Sequence, residues 1–196
     1  LSSQAVYGKR SKSPVNEKSK LPIQELDLYA KSKFMSEKLC HAISSIPIVI
    51  LRLSSVYGAK SLNRKEFLSD IVMQAKNNEI LLFGNGNRIH DFVYVKDVVD
   101  VLIFMMENNT QNGLYNLGSG KARTFNDLVR ATCSAMNLGC NISYIDTPLD
   151  IRNKYQYFTE ASMEKLKSNG YTKPFINLEE GVKDYVQNYL LDNRYY

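Results

Sequence analysis

The chain has no tryptophan, two histidines, three cysteines and no long apolar run. Its longest apolar stretches are Ile46–Leu51 and Val98–Met106, the latter broken by Asp100. Both fall far short of the roughly 20 residues a membrane-spanning helix needs. No basic stretch followed by an apolar one opens the chain, so no secretory signal is visible. The first residue is Leu1, not Met, which leads us to expect that the chain starts inside a longer protein. Cys40, Cys133 and Cys140 are odd in number, and their spacings match no zinc pattern. They are expected to be buried, reduced thiols in a reducing, cytoplasmic compartment. No metal site is expected.

What is present is ordinary for a globular protein. The chain has 196 residues, 44% hydrophobic and 23% charged, with no internal repeat and no low-complexity segment, which argues against wholesale disorder. That length predicts one domain or a little more. The net charge is +5, and five basic residues against one acid lie between Gly8 and Lys20. No aromatic interleaves with them, so the segment reads as a solvated loop. A nucleic-acid surface would want both residue types on one face. Neither a nucleic acid nor a membrane is expected as partner.

Strand and helix signals alternate, which predicts an α/β fold. Leu1–Val6 reads as the end of a strand, and Gly8–Asp27 as a polar loop holding Pro14 and Pro22. Leu28–Ser44 reads as a helix, and Ile46–Leu53 as a strand buried on both faces. Asn63 to Glu66, Thr124 to Asp127 and Asn177 to Glu180 each place a capping residue three before an acid. These predict helices over Lys65–Asn77, Phe125–Met136 and Leu178–Leu191. Further helices are expected over Asp97–Glu107 and Glu160–Ser168, the last closed by Asn169-Gly170. Strands are expected at Leu81–Phe83, Asp91–Tyr94, Leu114–Leu117 and Asn141–Ile145.

Two short signals carry chemistry. One is Ser2-Ser3-Gln4-Ala5-Val6-Tyr7-Gly8, with hydroxyls at a strand end. The other is Tyr29-Ala-Lys-Ser-Lys33. Positions i and i+4 share a helix face, so Tyr29 and Lys33 stand together. An ammonium near a phenol favours phenolate and lowers its pKa from about 10. Such a tyrosine can take the proton of a sugar hydroxyl while a hydride leaves the same carbon. Tyr7-Gly8 and Tyr57-Gly58 read as turns, and Val98–Met106 as a core-facing helix.

These segments, in this order, resemble the extended short-chain dehydrogenase/reductases, the NAD-dependent nucleotide-sugar epimerase/dehydratase group. The resemblance also takes in Pro14-Val-Asn-Glu17, Leu51-Arg52-Leu-Ser-Ser-Val-Tyr57-Gly58, Phe83-Gly84-Asn-Gly86, Asp91-Phe-Val-Tyr-Val-Lys-Asp97 and Tyr115-Asn116-Leu-Gly118-Ser-Gly120. The tail, Lys154-Tyr155-Gln156-Tyr157-Phe158-Thr159 and then Gly170-Tyr171-x-x-Pro174-Phe175, is similar to the end of ADP-glyceromanno-heptose 6-epimerases.

The resemblance implies an α/β fold: the C-terminal part of a Rossmann-type doubly wound sheet plus a smaller α/β substrate-binding domain. Residues 1–58 would end the dinucleotide-binding domain. Residues 59–196 would be mainly substrate-binding, with some segments returning to the sheet. Tyr29 matches the catalytic tyrosine, Lys33 the lysine that also holds the nicotinamide ribose, and Ser3 the residue that orients the reacting hydroxyl. Val56 falls on the nicotinamide side, and the cofactor would be NAD or NADP. Ser55, Phe83, His90 and Tyr155 fall on substrate-holding positions, and Lys60 and Lys65 are candidates for a second base. Most relatives have Asn at Ser55, Pro at Ala59 and a diphosphate-binding Arg at His90, so either His90 or the nearby Arg88 would meet a nucleotide diphosphate sugar. Neither Gly84-x-Gly86 nor Gly118-x-Gly120 completes a Gly-x-Gly-x-x-Gly, the loop that cradles a dinucleotide pyrophosphate, so that main binding loop is expected to be absent from this chain and the chain alone to be inactive.

The expected activity is that of a nucleotide-sugar epimerase, by transient oxidation and re-reduction of the sugar, with ADP-heptose the specific expectation. A 4-epimerase or a 4,6-dehydratase shares these motifs. A non-catalytic sugar-nucleotide-binding or subunit protein is the reading from another class. The resemblance also implies a homo-oligomer, paired through a four-helix bundle that includes the Tyr29 helix.

Overall fold

The computed structural model describes residues 1–9, 13–43, 45–58, 67–108, 111–149 and 157–191. Its centre is a parallel sheet of β1 (Ser2–Ser3), β2 (Val49–Leu53) and β7 (Gly113–Leu117), in the order β1-β2-β7. Ser3 pairs with Leu53, and Val49 to Leu53 run in register with Gly113 to Leu117. The continuous apolar character of β2 suits a strand covered on both faces. One departure is Arg52, which is buried there with a partner described below.

Among the described residues three smaller sheets accompany it. β3 (Ser55–Tyr57) pairs in parallel with β6 (Phe92–Tyr94), and β4 (Ile80–Phe83) with β9 (Ile142–Ile145). β5 (Ile89–His90) runs antiparallel to β8 (Arg123–Thr124). The chain changes sheets between β2 and β3. The Ser54 amide still donates to Leu117 of the central sheet (2.8 Å), while that of Ser55 donates to Asp91 (3.0 Å).

The helices are α1 (Leu28–Ala42), α2 (Phe67–Lys76), α3 (Val95–Glu107), α4 (Phe125–Ala135), α5 (Glu164–Ser168) and α6 (Leu178–Tyr185), the last continued by a π-helical turn over Val186–Leu190. Among the described residues, none is long and apolar enough to cross a membrane. Thr124 and Asp127 form a full capping box, each side chain accepting from the other's amide at 3.0 Å. Asn177 caps α6 through the Glu180 amide (2.9 Å). The Asn63–Glu66 signal lies outside the described residues.

Among the described residues two larger hydrophobic clusters form, beside a small one of Val6, Tyr7 and Val15. One joins α2, α4 and α6 over Leu82, Phe92 and Tyr94. The other packs Val98 and Val101 of α3, with Leu166 and Tyr171, against Leu51, Tyr115 and Leu117 of the central sheet.

Several expectations need correction. Leu1–Val6 is strand only at Ser2–Ser3, because the Ser3 hydroxyl accepts from the Ala5 amide (3.2 Å) and turns Gln4–Tyr7 into a 3₁₀ helix. β2 begins at Val49, leaving Ile46 exposed before it. Helix α5 begins at Glu164 and not at Glu160, because the backbone at 160–162 pairs with Val15 instead. That pairing also corrects the solvated-loop reading of Gly8–Lys20 at its centre. Val15 is buried, and the Glu17 carboxylate accepts the Asn116 amide at 2.7 Å. Of the three cysteines only Cys133 is buried. Cys40 is half-buried and Cys140 exposed, although the Cys133 and Cys140 sulphurs lie 2.7 Å apart.

Candidate functional site

Asp27 caps α1 by accepting the Ala30 amide (2.7 Å), which places Tyr29 in the first turn. Tyr29 is exposed there, and the Lys33 ammonium stands 5.8 Å from the centre of its ring. The i, i+4 spacing therefore does bring the two onto one face. Ser3 closes β1, with its hydroxyl turned to the Ala5 amide as acceptor and its proton still able to donate.

The inner face of α1 is fixed by a feature that residue spacing did not single out. Glu37, four residues beyond Lys33, is buried and accepts two hydrogen bonds from Arg52 on β2, at 2.8 and 2.6 Å. It also accepts the Ser2 hydroxyl at 2.5 Å. Burial pushes the Glu37 carboxyl up, but the Arg52 and Ser2 hydrogen bonds hold it below the usual range. The Arg52 guanidinium lies 4.8 Å over the Tyr7 ring, and Tyr7 in turn donates to Asn116 (2.7 Å). One carboxylate thus ties the helix of Tyr29 and Lys33 to the strand of Ser3. The signal in the sequence was a third polar position in the i+4 series, Tyr29, Lys33, Glu37.

A second group gathers where β3, β5 and α4 meet. The Ser55 hydroxyl lies 3.0 Å from Nδ1 of His90. The His90 ring packs on Phe92 and edge-on against Phe125, 5.0 Å between centres. Arg88 is buried with its guanidinium 4.3 Å over the same Phe125 ring. Both candidates for the diphosphate therefore stand against one aromatic, to which its place at a helix start assigned no role in the site. Val56 is half-buried on β3 opposite Val93, and Phe83 ends β4 opposite Ile145. Tyr155, Lys60 and Lys65 lie outside the described residues. The backbone just after Tyr155 is placed: Ile89 donates to the Tyr157 carbonyl and accepts the Thr159 amide, both at 3.0 Å. The tail thus runs beside the strand that carries His90.

Asp91 holds these parts together. Its buried carboxylate accepts the Ser119 amide (2.7 Å) and hydroxyl (2.6 Å), the Gly120 amide (3.1 Å) and the Ala161 amide (3.0 Å). Burial raises its pKa against the pull of those donors. Gly118 is needed beside it, since a Cβ there would collide with the Asp91 carboxylate and the Ser54 hydroxyl. Among the described residues no group of histidines, cysteines or carboxylates could hold a metal ion.

Residues 1–118 match the model of the NAD dependent epimerase/dehydratase family. An ADP-L-glycero-D-manno-heptose-6-epimerase of Fusobacterium nucleatum is 54% identical over 114 residues, 55% of this chain and 34% of its own length. One from Nitratidesulfovibrio vulgaris is 36% identical over 202 residues, 96% of this chain and 62% of its own length. The chain thus spans about a third to three-fifths of these curated relatives. The crystal structure of a Helicobacter pylori ADP-L-glycero-D-manno-heptose-6-epimerase superposes with a TM-score of 0.78 at 26% identity, covering 95% of this chain and 57% of that one. A Bacillus cereus UDP-glucuronic acid 4-epimerase, in complex with UDP-glucuronic acid and NAD, gives 0.79 at 24% identity, covering 95% of this chain and 60% of that one. That likeness bears on the fold alone.

Proposed function

The chain belongs to the NAD-dependent epimerase/dehydratase family, and from that premise we propose that it carries the catalytic and sugar-binding residues of a nucleotide-sugar epimerase acting on an ADP-heptose. The observation that carries this reading is the Glu37 clamp. It joins the helix of Tyr29 and Lys33 to Ser2, the neighbour of Ser3, so the three catalytic candidates are referred to one another by buried hydrogen bonds. The heptose epimerases among the relatives support the choice of sugar.

The nicotinamide cofactor supplies the acceptor and donor of hydride when bound. The residues present fit its nicotinamide end. Tyr29 and Lys33 share one helix face, with Tyr29 exposed, and Val56 lies half-buried on β3. Lys33 would hold the nicotinamide ribose. Tyr29 takes the proton from the sugar hydroxyl and returns it, while the Ser3 hydroxyl donates to the same oxygen and fixes its direction. Ser55, Phe83, His90 and Tyr155 hold the substrate. Arg88, whose guanidinium lies over the Phe125 ring, supplies a permanent charge for the diphosphate. Residues 1–58 complete the nicotinamide side and 59–196 form most of the sugar side, with β7 returning to the central sheet.

The outer face of α1 carries Leu28, Met35 and Leu39, each more than half exposed. We assign this stripe to pairing with a second copy of the chain.

Tyr29→Phe tests the reading. In a longer protein that carries the dinucleotide loop as well, and with nicotinamide cofactor present, epimerase turnover falls by at least about 10²–10⁴-fold, while nucleotide-sugar affinity by calorimetry stays within a few-fold. Retention of most activity would overturn the role of Tyr29 and transfer it to the Lys60–Lys65 loop.

A further inference from the structure

Gln4 follows Ser3 directly and opens the 3₁₀ turn that the Ser3 hydroxyl caps. Its side chain is 4% exposed, yet neither its amide oxygen nor its amide nitrogen has a hydrogen-bond partner among the described residues. Its neighbours are different: Ser2 donates to Glu37 and Tyr7 to Asn116. Native proteins rarely leave a buried amide unsatisfied at both ends, so the exception calls for an occupant.

The surroundings say what kind. Gln4 lines a niche together with Tyr7, Val15, Phe158, Thr159 and Glu160. The space is about 10 Å³, room for one hydroxyl or one water. Its far wall is the tail segment whose backbone pairs with Ile89, next to His90. The niche therefore lies between the turn of Ser3 and the strand of the substrate group. No cation lines it among the described residues, and the acid Glu160 does, so the niche does not suit a phosphate oxygen. The amide offers both a donor and an acceptor, and a neutral hydroxyl uses both.

We propose that Gln4 is a specificity-determining residue whose side-chain amide reads one hydroxyl of the sugar. The inference rests on the nucleotide-sugar reading above and adds to it the residue that distinguishes a sugar nucleotide from the bare nucleotide. It also explains why an unpaired amide is kept beside the catalytic serine: the partner arrives with the substrate. An ordered water is the other occupant that fits.

Calorimetry with ADP-mannose, and with ADP as the sugar-free control, separates the cases on the 196-residue chain. Gln4→Met keeps the length and removes the polar atoms. The expected result is that affinity for ADP-mannose falls about 5–10-fold, the worth of a neutral hydrogen bond, while affinity for ADP stays within twofold. Without ligand, the same variant melts at or above the wild-type temperature, because an unpaired buried amide has been removed. Gln4→Asn, too short to reach but still polar, is expected to show the same sugar-selective loss and carries the test if the methionine variant does not fold. Unchanged ADP-mannose affinity with a lowered melting temperature would overturn the proposal in favour of the ordered water. Equal losses for both ligands would overturn it in favour of a general distortion. A wild-type chain that binds neither ligand would overturn the nucleotide-sugar reading itself, and this inference with it.

Discussion

Helices α1 and α3 each press one carboxylate into the protein, Glu37 and Asp97, at 3% and 1% exposure. Glu37 meets Arg52 in a two-pronged ion pair and also takes the Ser2 hydroxyl. Asp97 accepts one amide, that of Ile176 at 3.1 Å, and its other oxygen has no partner among the described residues. The consequences are opposite. The Glu37 carboxyl is held below its ordinary range, whereas burial pushes that of Asp97 up to about 6, helped by Asp100 and opposed by Lys173. A carboxylate survives burial as an anion where a cation is buried with it. The helix that receives this treatment is the one that presents Tyr29 and Lys33, two and one i+4 steps before Glu37. In α3, which carries none of the candidate site, a single hydrogen bond suffices.

Cutting the α1 pair has the largest expected effect. Glu37→Ala or Arg52→Ala leaves an uncompensated buried charge and costs about 3–5 kcal/mol by urea denaturation. Replacing both partners together, with Glu37→Leu and Arg52→Met, recovers most of that loss. Single variants within 1 kcal/mol of wild type would erase the contrast with α3. The wild type carries a pH signature of the same origin. A lowered folded pKa contributes stability that is present above the unfolded value near 4.5 and is lost as pH falls through the folded one.

Asp97 gives the opposite slope. Its raised folded pKa means that the protonated form is favoured in the fold. Its contribution is complete below the unfolded value of 3.8 and is lost as pH rises through about 6. The shift corresponds to roughly 2–3 kcal/mol. Asp97→Asn keeps an acceptor for Ile176 and removes the slope, so the difference in denaturation midpoint between pH 5 and pH 7.5 shrinks relative to wild type. A variant with the wild-type slope would assign that titration to another group. The smallest effect belongs to an interaction that water partly replaces. Thr124→Ala removes the α4 cap at the cost of about 1 kcal/mol, and thermal melting at fixed pH measures it against the two buried carboxylates.

The residues legible beforehand were those whose partners lie within one element or one short motif. Tyr29 and Lys33 meet because a helix repeats every three to four residues, and the Thr124–Asp127 box forms because both halves belong to one turn. Glu37 sits on the next step of the same series, but its partner Arg52 comes from another element, 15 residues on, and spacing does not announce it. The loop around Pro14 misled for a similar reason. Its polarity suggested water, whereas Glu17 spends its carboxylate on Asn116, 99 residues away, and Val15 pairs with Ala161. Helix α5 lost its first residues to that same pairing. Ser55 and His90 were each expected on the substrate side, but their contact, and the Phe125 ring shared by Arg88 and His90, arise where the chain changes sheets.

The α/β alternation, the caps of α4 and α6, the buried strand β2 and the face that pairs Tyr29 with Lys33 follow from the order of residues alone, because each depends on backbone periodicity and near-neighbour chemistry. Which polar groups went inside, and what met them there, was set by the assembled fold: Arg52 for Glu37, four donors for Asp91, a single amide for Asp97 and no partner among the described residues for Gln4. The physical reason is that the cost of removing a polar group from water depends entirely on the partner found in the new place. That partner is supplied by segments that lie far apart along the chain and come together only in the fold.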